Sequence, residues 1–123
     1  MVRQFRYPFG RMLLEIPAGK LEKGEDPMVC GVRELSEETG FTADEFVDLG
    51  RCYTSPGYST EVLRLYLALG LHKGQSHPDQ DEYLNVEKFP LSTLVDMVMR
   101  NEIDDGKTAI AILKAERYLA GKK

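Results

Sequence analysis

The chain has 123 residues, of which 42% are hydrophobic and 29% charged, and its formal net charge is −4. That size and balance suit one globular domain with a single core, and the acidic surplus argues against nonspecific binding of nucleic acid, which needs a dense basic surface. The sequence has no long apolar run and no signal-like start, which argues against a membrane partner or export and for a cytoplasmic protein. Cys30 and Cys52 lack metal-ligand spacing and read as reduced thiols.

Taken in chain order, residues 3–7 and 12–16 read as short strands, and Pro8 and Gly10 between them favour a hairpin turn. Gly19 and Gly24 then bracket a tight loop that leads into a helix over Pro27–Thr39. Asp26 suits its N-cap, Pro27 its first helical position, and Gly40 the left-handed residue that ends it. Residues 47–53 read as a weaker strand. From Val62 to Leu69, four leucines alternate on one side of a stronger strand that is expected to be central. His72 and His77 fall in a polar stretch that reads as a solvated loop. A strand at Tyr83–Phe89 and helices over Leu91–Arg100 and Gly106–Leu119 complete the order. Strands interleaved with helices, without a regular βαβ alternation, point to an α/β chain of the α+β kind with a mixed sheet between helices.

The helix over Pro27–Thr39 carries the chemistry. At about 100° per residue, Glu34, Glu37 and Glu38 share a narrow face, and Met28, Val29, Val32 and Leu35 fall on the opposite one, which is expected to pack. Like charges at i,i+4 cost an isolated helix about 0.2–0.5 kcal/mol, so the cluster needs compensation. Mg²⁺ takes one or two carboxylates and completes its shell with water and substrate phosphate, which makes a divalent cation the natural partner. A solvated acidic face is the plainer alternative.

Gly19, Glu25, Arg33-Glu34-Leu35, Glu37-Glu38, Gly40 and Phe41 together match the spacing of the Nudix box, and the segment 19–41 resembles that family. The resemblance implies one Nudix domain over residues 1–123, an α-β-α sandwich with a mixed sheet, and a hydrolase of nucleoside diphosphates linked to another group. It implies Mg²⁺, with Mn²⁺ as the substitute, held by Glu34, Glu38, Glu37 and the carbonyl of Ala18. Gly19, Glu25, Arg33 and Gly40 take the box's structural roles, with Glu25 and Arg33 holding the acids in place. Leu14–Gly19, Ser55-Pro56-Gly57, Asp81-Glu82 and Asp105-x-Lys107-Thr108 are similar to the ADP-ribose pyrophosphatase branch. That similarity implies cleavage of ADP-ribose to AMP and ribose 5-phosphate.

Within that branch, Arg6, Glu15, Ser55, Gly57 and Glu61 correspond to substrate-binding positions. Ser55–Thr60 otherwise reads as a polar turn, and Arg6 as an exposed strand arginine. Glu82 is implied as the base, with Asp81 as its alternate, and Glu38 and Glu37 join it among the catalytic carboxylates. Only 18 residues precede Gly19, fewer than the resemblance places before the box, so part of the usual sheet and of the adenine side of the pocket is expected to be missing. A homodimer is expected as well. A nucleotide sugar or a dinucleotide as substrate, or a noncatalytic nucleotide-binding module, are the other readings.

Overall fold

The computed structural model describes residues 1–74 and 86–122. Strands β1 (Val2–Arg6) and β2 (Arg11–Glu15) form an antiparallel hairpin in which Val2 faces Glu15 and Arg6 faces Arg11. A single 3-10 turn, Tyr7–Phe9, joins them and closes on Gly10, whose φ of 64° is left-handed. Helix α1 (Pro27–Thr39) follows, then a longer hairpin of β3 (Phe41–Tyr53) and β4 (Val62–Lys73), and finally helices α2 (Leu91–Met99) and α3 (Gly106–Ala120). Strands and helices are interleaved, so the class is α+β. Among the described residues the strands pair as two separate antiparallel sheets, β1–β2 and β3–β4.

The ends of α1 follow from local chemistry. The Asp26 carboxylate accepts from the Met28 and Val29 amides at 3.0 and 3.3 Å, satisfying two donors that a helix start leaves free. At the other end Gly40, at φ 76°, returns its N–H to the Ser36 carbonyl. The third helix is capped alike, with the Asp105 side chain accepting from the Thr108 amide.

The core lies where β2 meets the last two helices: Leu14, Leu94, Ile103 and Ile112 cluster there, with Met1, Phe89 and Leu91 packed against them. The start of the chain is tied into this layer, since Val2 bridges Val86 and Met1 and Glu87 exchange backbone hydrogen bonds. Helices α1 and α3 both rest on the β3–β4 hairpin. Among the described residues, no helix is long and apolar enough to cross a membrane.

Several sequence expectations need correction. The hairpin strands run well past 47–53 and 62–69, because Thr42–Glu45 and Leu71–Lys73 pair across the hairpin despite their polar composition. His72 therefore sits in β4, opposite Thr42, and its ring meets Asp44 at 2.7 Å. Among the described residues β4 pairs only with β3 and is not flanked on both sides. Of the strand expected at 83–89, residues 83–85 lie outside the described residues, as does His77, and within 86–89 only Val86 pairs, in an isolated bridge to Val2, so no strand forms over that part. The face of α1 is also rotated from the amphipathic reading: Met28, Val29 and Val32 are exposed, whereas Cys30 is buried and Glu34 and Leu35 are half-buried. Glu34 and Glu38 belong to the covered side because the Pro17–Leu21 loop passes over it, whereas Glu37 stays exposed.

Candidate metal and phosphate site

The site is built where the loop before α1 crosses the helix. Glu34 and Glu38 lie one turn apart on α1, and the loop lies against both. The Ala18 N–H donates to Glu38 Oε2 at 2.9 Å. Gly19 is so close to Glu34 that a Cβ there would fall 1.9 Å from the carboxyl carbon. This is the one position in the loop where an absent side chain decides the approach, and it brings the Ala18–Gly19 backbone onto the two carboxylates.

Arg33 organises the surroundings. Its Nε and Nη2 make a fork onto Glu25, each at 2.9 Å. Nη1 is shared between Glu34 Oε1 at 2.8 Å and Glu37 Oε2 at 3.1 Å, and Nη2 also reaches the Lys20 carbonyl. One guanidinium thus ties the loop to three acids. The hydrogen bonds from Arg33, with that from the Glu22 amide region, hold the Glu25 carboxyl down to about 2. Burial pushes the Glu38 carboxyl up; the Ala18 N–H opposes this and the neighbouring Glu34 charge adds to it. Among the described residues Glu38 accepts no hydrogen bond from a cationic side chain, whereas Arg33 donates to Glu25, Glu34 and Glu37.

That difference bears on the implied cation. Among the described residues, no three His, Cys, Asp or Glu side chains converge as a ready cage. Two carboxylates one turn apart and a backbone segment held beside them form an all-oxygen, incomplete donor set, which suits Mg²⁺ or Mn²⁺ sharing its shell with water and substrate phosphate. The residues fit the ion. Glu37 is placed differently, since its carboxylate is 58% exposed and engaged by Arg33.

The other candidates divide. Arg6 grips Glu15 with two hydrogen bonds of 2.7 Å, and its guanidinium is near enough to Glu38 to be influenced by that charge. Glu15 is 1% exposed and accepts a third bond from Lys107 Nζ at 2.8 Å. Burial opposes the Lys107 ammonium, but its bonds to Glu15 and Asp105 outweigh this and raise its pKa. Ser55, Gly57 and Glu61 lie in the connection between β3 and β4, where the Ser59 and Tyr58 amides close a turn on Ser55 O and Thr54 Oγ1 donates to Glu61. Glu61 lines a cleft of about 860 Å³ together with Ala18, Gly19, Glu34 and Lys107. Gly57 has an ordinary φ and open space around it, so the turn does not require glycine there. Glu82, Asp81 and Gln80 lie outside the described residues.

Lys107, Asp105 and Thr108 are the residues that the sequence placed only as a resemblance and gave no role. Thr108 is fully buried, and its hydroxyl donates to Asp105 at 2.5 Å and accepts from the Ile16 amide at 3.1 Å. The sequence signal for them is the short Asp-x-Lys-Thr cap, whose partners are 92 residues away.

The chain is thus an α+β domain in which a glycine-bearing loop lies across two carboxylates one helical turn apart. The chain is a member of the NUDIX domain family, whose model matches residues 1–109. It is 44% identical over 114 residues to an ADP-ribose pyrophosphatase of Bacillus subtilis (strain 168), covering 91% of this chain and 62% of that protein. To a methanol dehydrogenase activator of Bacillus methanolicus it is 42% identical over 114 residues, with the same coverage of 91% and 62%. The chain thus spans about 62% of the length of these relatives. In fold it is similar to a crystal structure of an ADP compounds hydrolase, with a TM-score of 0.85 at 22% identity over 98% of this chain and 65% of the other.

Proposed function

We propose that the chain is a divalent-metal-dependent Nudix pyrophosphohydrolase that cleaves ADP-ribose to AMP and ribose 5-phosphate. The observation that carries this reading is the apposition of Ala18–Gly19 on Glu34 and Glu38, an incomplete oxygen site that a substrate diphosphate would complete. The similarity to an ADP-ribose pyrophosphatase supports the choice of substrate.

Glu34, Glu38 and the Ala18 carbonyl are the residues that would hold Mg²⁺, with Mn²⁺ as substitute and Glu37 as a further ligand once released from Arg33. When bound, such an ion supplies charge neutralisation of the diphosphate and acidification of water. The chain's own residues do the rest. Arg33 and Glu25 keep the loop and helix acids in register. Arg6 presents guanidinium donors to phosphate or ribose oxygens. The Ser55–Glu61 connection covers the terminal ribose side. A carboxylate accepts the proton of the attacking water, a role assigned to Glu82. The small-molecule substrate, a cytoplasmic location and a homodimeric assembly belong to the same reading.

Product analysis with ADP-ribose and Mg²⁺ tests it, run beside a nucleotide sugar and a dinucleotide. AMP and ribose 5-phosphate from wild type, and turnover lower by about 10²–10³-fold in Glu38→Gln, are expected. Preferred cleavage of another member of the panel would move the substrate assignment, and wild-type turnover in a folded Glu38→Gln variant would remove Glu38 from the site.

A further inference from the structure

Outside the paired acids of α1, the most buried charged group among the described residues is Glu15, at 1% exposure. Both of its oxygens are consumed: Oε2 accepts from Arg6 Nε at 2.7 Å, and Oε1 accepts from Arg6 Nη2 at 2.7 Å and from Lys107 Nζ at 2.8 Å. A carboxylate so enclosed has no free edge for a substrate. It joins the two cations that hold it, Arg6 and Lys107.

Arg6 and Glu15 are not partners in the hairpin ladder, where Arg6 faces Arg11 and Glu15 faces Val2. The guanidinium lies back along the hairpin to reach Glu15, and its Nη1 makes no hydrogen bond among the described residues. Lys107 fixes the far side of the same carboxylate, because its ammonium also binds Asp105 Oδ2 at 2.9 Å and Asp105 caps α3. Thr108, the next residue, receives the Ile16 amide, which anchors the chain directly after Glu15 and two residues before Ala18. Glu15 is thereby held between the capped start of α3 and an arginine whose side chain is 39% exposed.

Resting on the diphosphate-cleavage reading above, we infer that Lys107 is a positioning residue for the substrate, acting through Glu15 to aim the Arg6 guanidinium. With Lys107 in place, Oε1 is shared between two cations and Glu15 keeps one rotamer, so the Arg6 fork is locked by Nε and Nη2 while Nη1 stays available for an anionic substrate. Without Lys107, the carboxylate is free of its tie to Asp105, and the guanidinium loses the fixed platform that defines its direction. This places the Asp105-x-Lys107-Thr108 cap in the recognition of the nucleoside diphosphate, at a point where the lysine's hydrogen bonds go only to Glu15 and Asp105.

The test is a double-mutant cycle with Arg6→Met and Lys107→Met, using ADP-ribose and Mg²⁺, with Lys107→Gln as a second variant that keeps length and a donor but lacks charge. The expected result is a KM raised about tenfold by Lys107→Met, with kcat within about threefold of wild type. In the Arg6→Met background, the further loss on removing Lys107 should shrink to less than about twofold. Additive losses would show that the lysine acts on the substrate independently of Arg6 and overturn the inference, as would an unchanged KM in both lysine variants. A readout free of turnover runs in parallel: the Arg6 Nε–H resonance, followed by NMR, should broaden or exchange faster in either lysine variant. An unaltered resonance overturns the inference. If wild type cleaves no member of the substrate panel, the functional reading fails by itself, and the NMR arm still decides whether Lys107 orders Arg6.

Discussion

At the scale of single residues, two close contacts set what substitutions will do. Gly19→Ala puts a methyl group where the Glu34 carboxyl stands, and the movable partner is the end of a flexible side chain. The fold should survive and the carboxylate should be displaced. Mn²⁺ affinity, measured by calorimetry or electron paramagnetic resonance, should fall about 10–100-fold, with thermal unfolding of the metal-free protein little changed; unaltered affinity would separate Gly19 from the site. Thr108→Val is the converse case, in which shape is kept and chemistry lost. The Ile16 amide loses its acceptor and Asp105 a donor, so stability should drop by about 1–3 kcal/mol in denaturant unfolding. Of these two residues only Gly19 was legible in the sequence as part of a site, because the box is local: its acids, arginine and glycine lie within 19–41, and their spacing is itself the signal. Thr108 and Lys107 act across 92 positions, and no periodicity reports a pairing at that distance.

At the scale of elements, α1 shows what local pattern fixes and what it leaves open. Its ends were legible from Asp26, Pro27 and Gly40 because caps are local chemistry, and Asp26→Ala should cost about 1 kcal/mol through the two amides it leaves free. Its orientation was not legible. An amphipathic pattern names two faces, and the apolar one was expected inside, yet the loop over residues 17–21 covers Glu34 and Glu38 while Val29 and Val32 stay outside. The loop is fastened to the helix by Arg33 and Glu25, which makes their pairing pH-dependent. The Glu25 carboxyl titrates at about 2 when folded, against an ordinary value of 4.5. A depressed carboxyl stabilises the fold fully above the ordinary value, and that stabilisation is lost as pH falls towards 2. The stability difference between wild type and Glu25→Gln, followed by unfolding at several pH values, should therefore narrow as pH falls from 4.5 to about 2. Parallel curves through that window would show that the pairing with Arg33 does not bear on folding. The long β3–β4 hairpin was under-read for a related reason: polar residues such as Thr42 and Asp44 can occupy a strand whose one face is exposed, and only cross-strand pairing reveals them.

At the scale of the whole molecule, the two hairpins and three helices of the described residues form the class of fold that the element order implied, but among those residues they do not close around one core. The buried cluster of Leu14, Leu94, Ile103 and Ile112 joins β2 to the last two helices, while β3–β4 is a separate sheet reached mainly through α1 and α3. A cleft of about 860 Å³ opens beside the α1 acids, lined by Leu63, Leu65 and Leu67 of β4 and by Ala111 and Ala115 of α3. Among the described residues the outer edge of β4 has no strand partner, and unpaired edges beside apolar surface recruit other chains. Phe5, Phe9 and Met12 on the first hairpin add exposed apolar area. The chain should therefore bind a fluorescent apolar probe in its native state and associate as concentration rises, as a two-fold homodimer if the edges are self-complementary. Light scattering across a wide dilution series, with probe fluorescence read on the same samples, checks both parts. The helix caps and the Arg33–Glu25–Glu34 cluster are internal to one segment, so metal affinity should be independent of the assembly state even where turnover is not. A monomer at every concentration with no probe binding would mean that the cleft and the β4 edge are covered in solution.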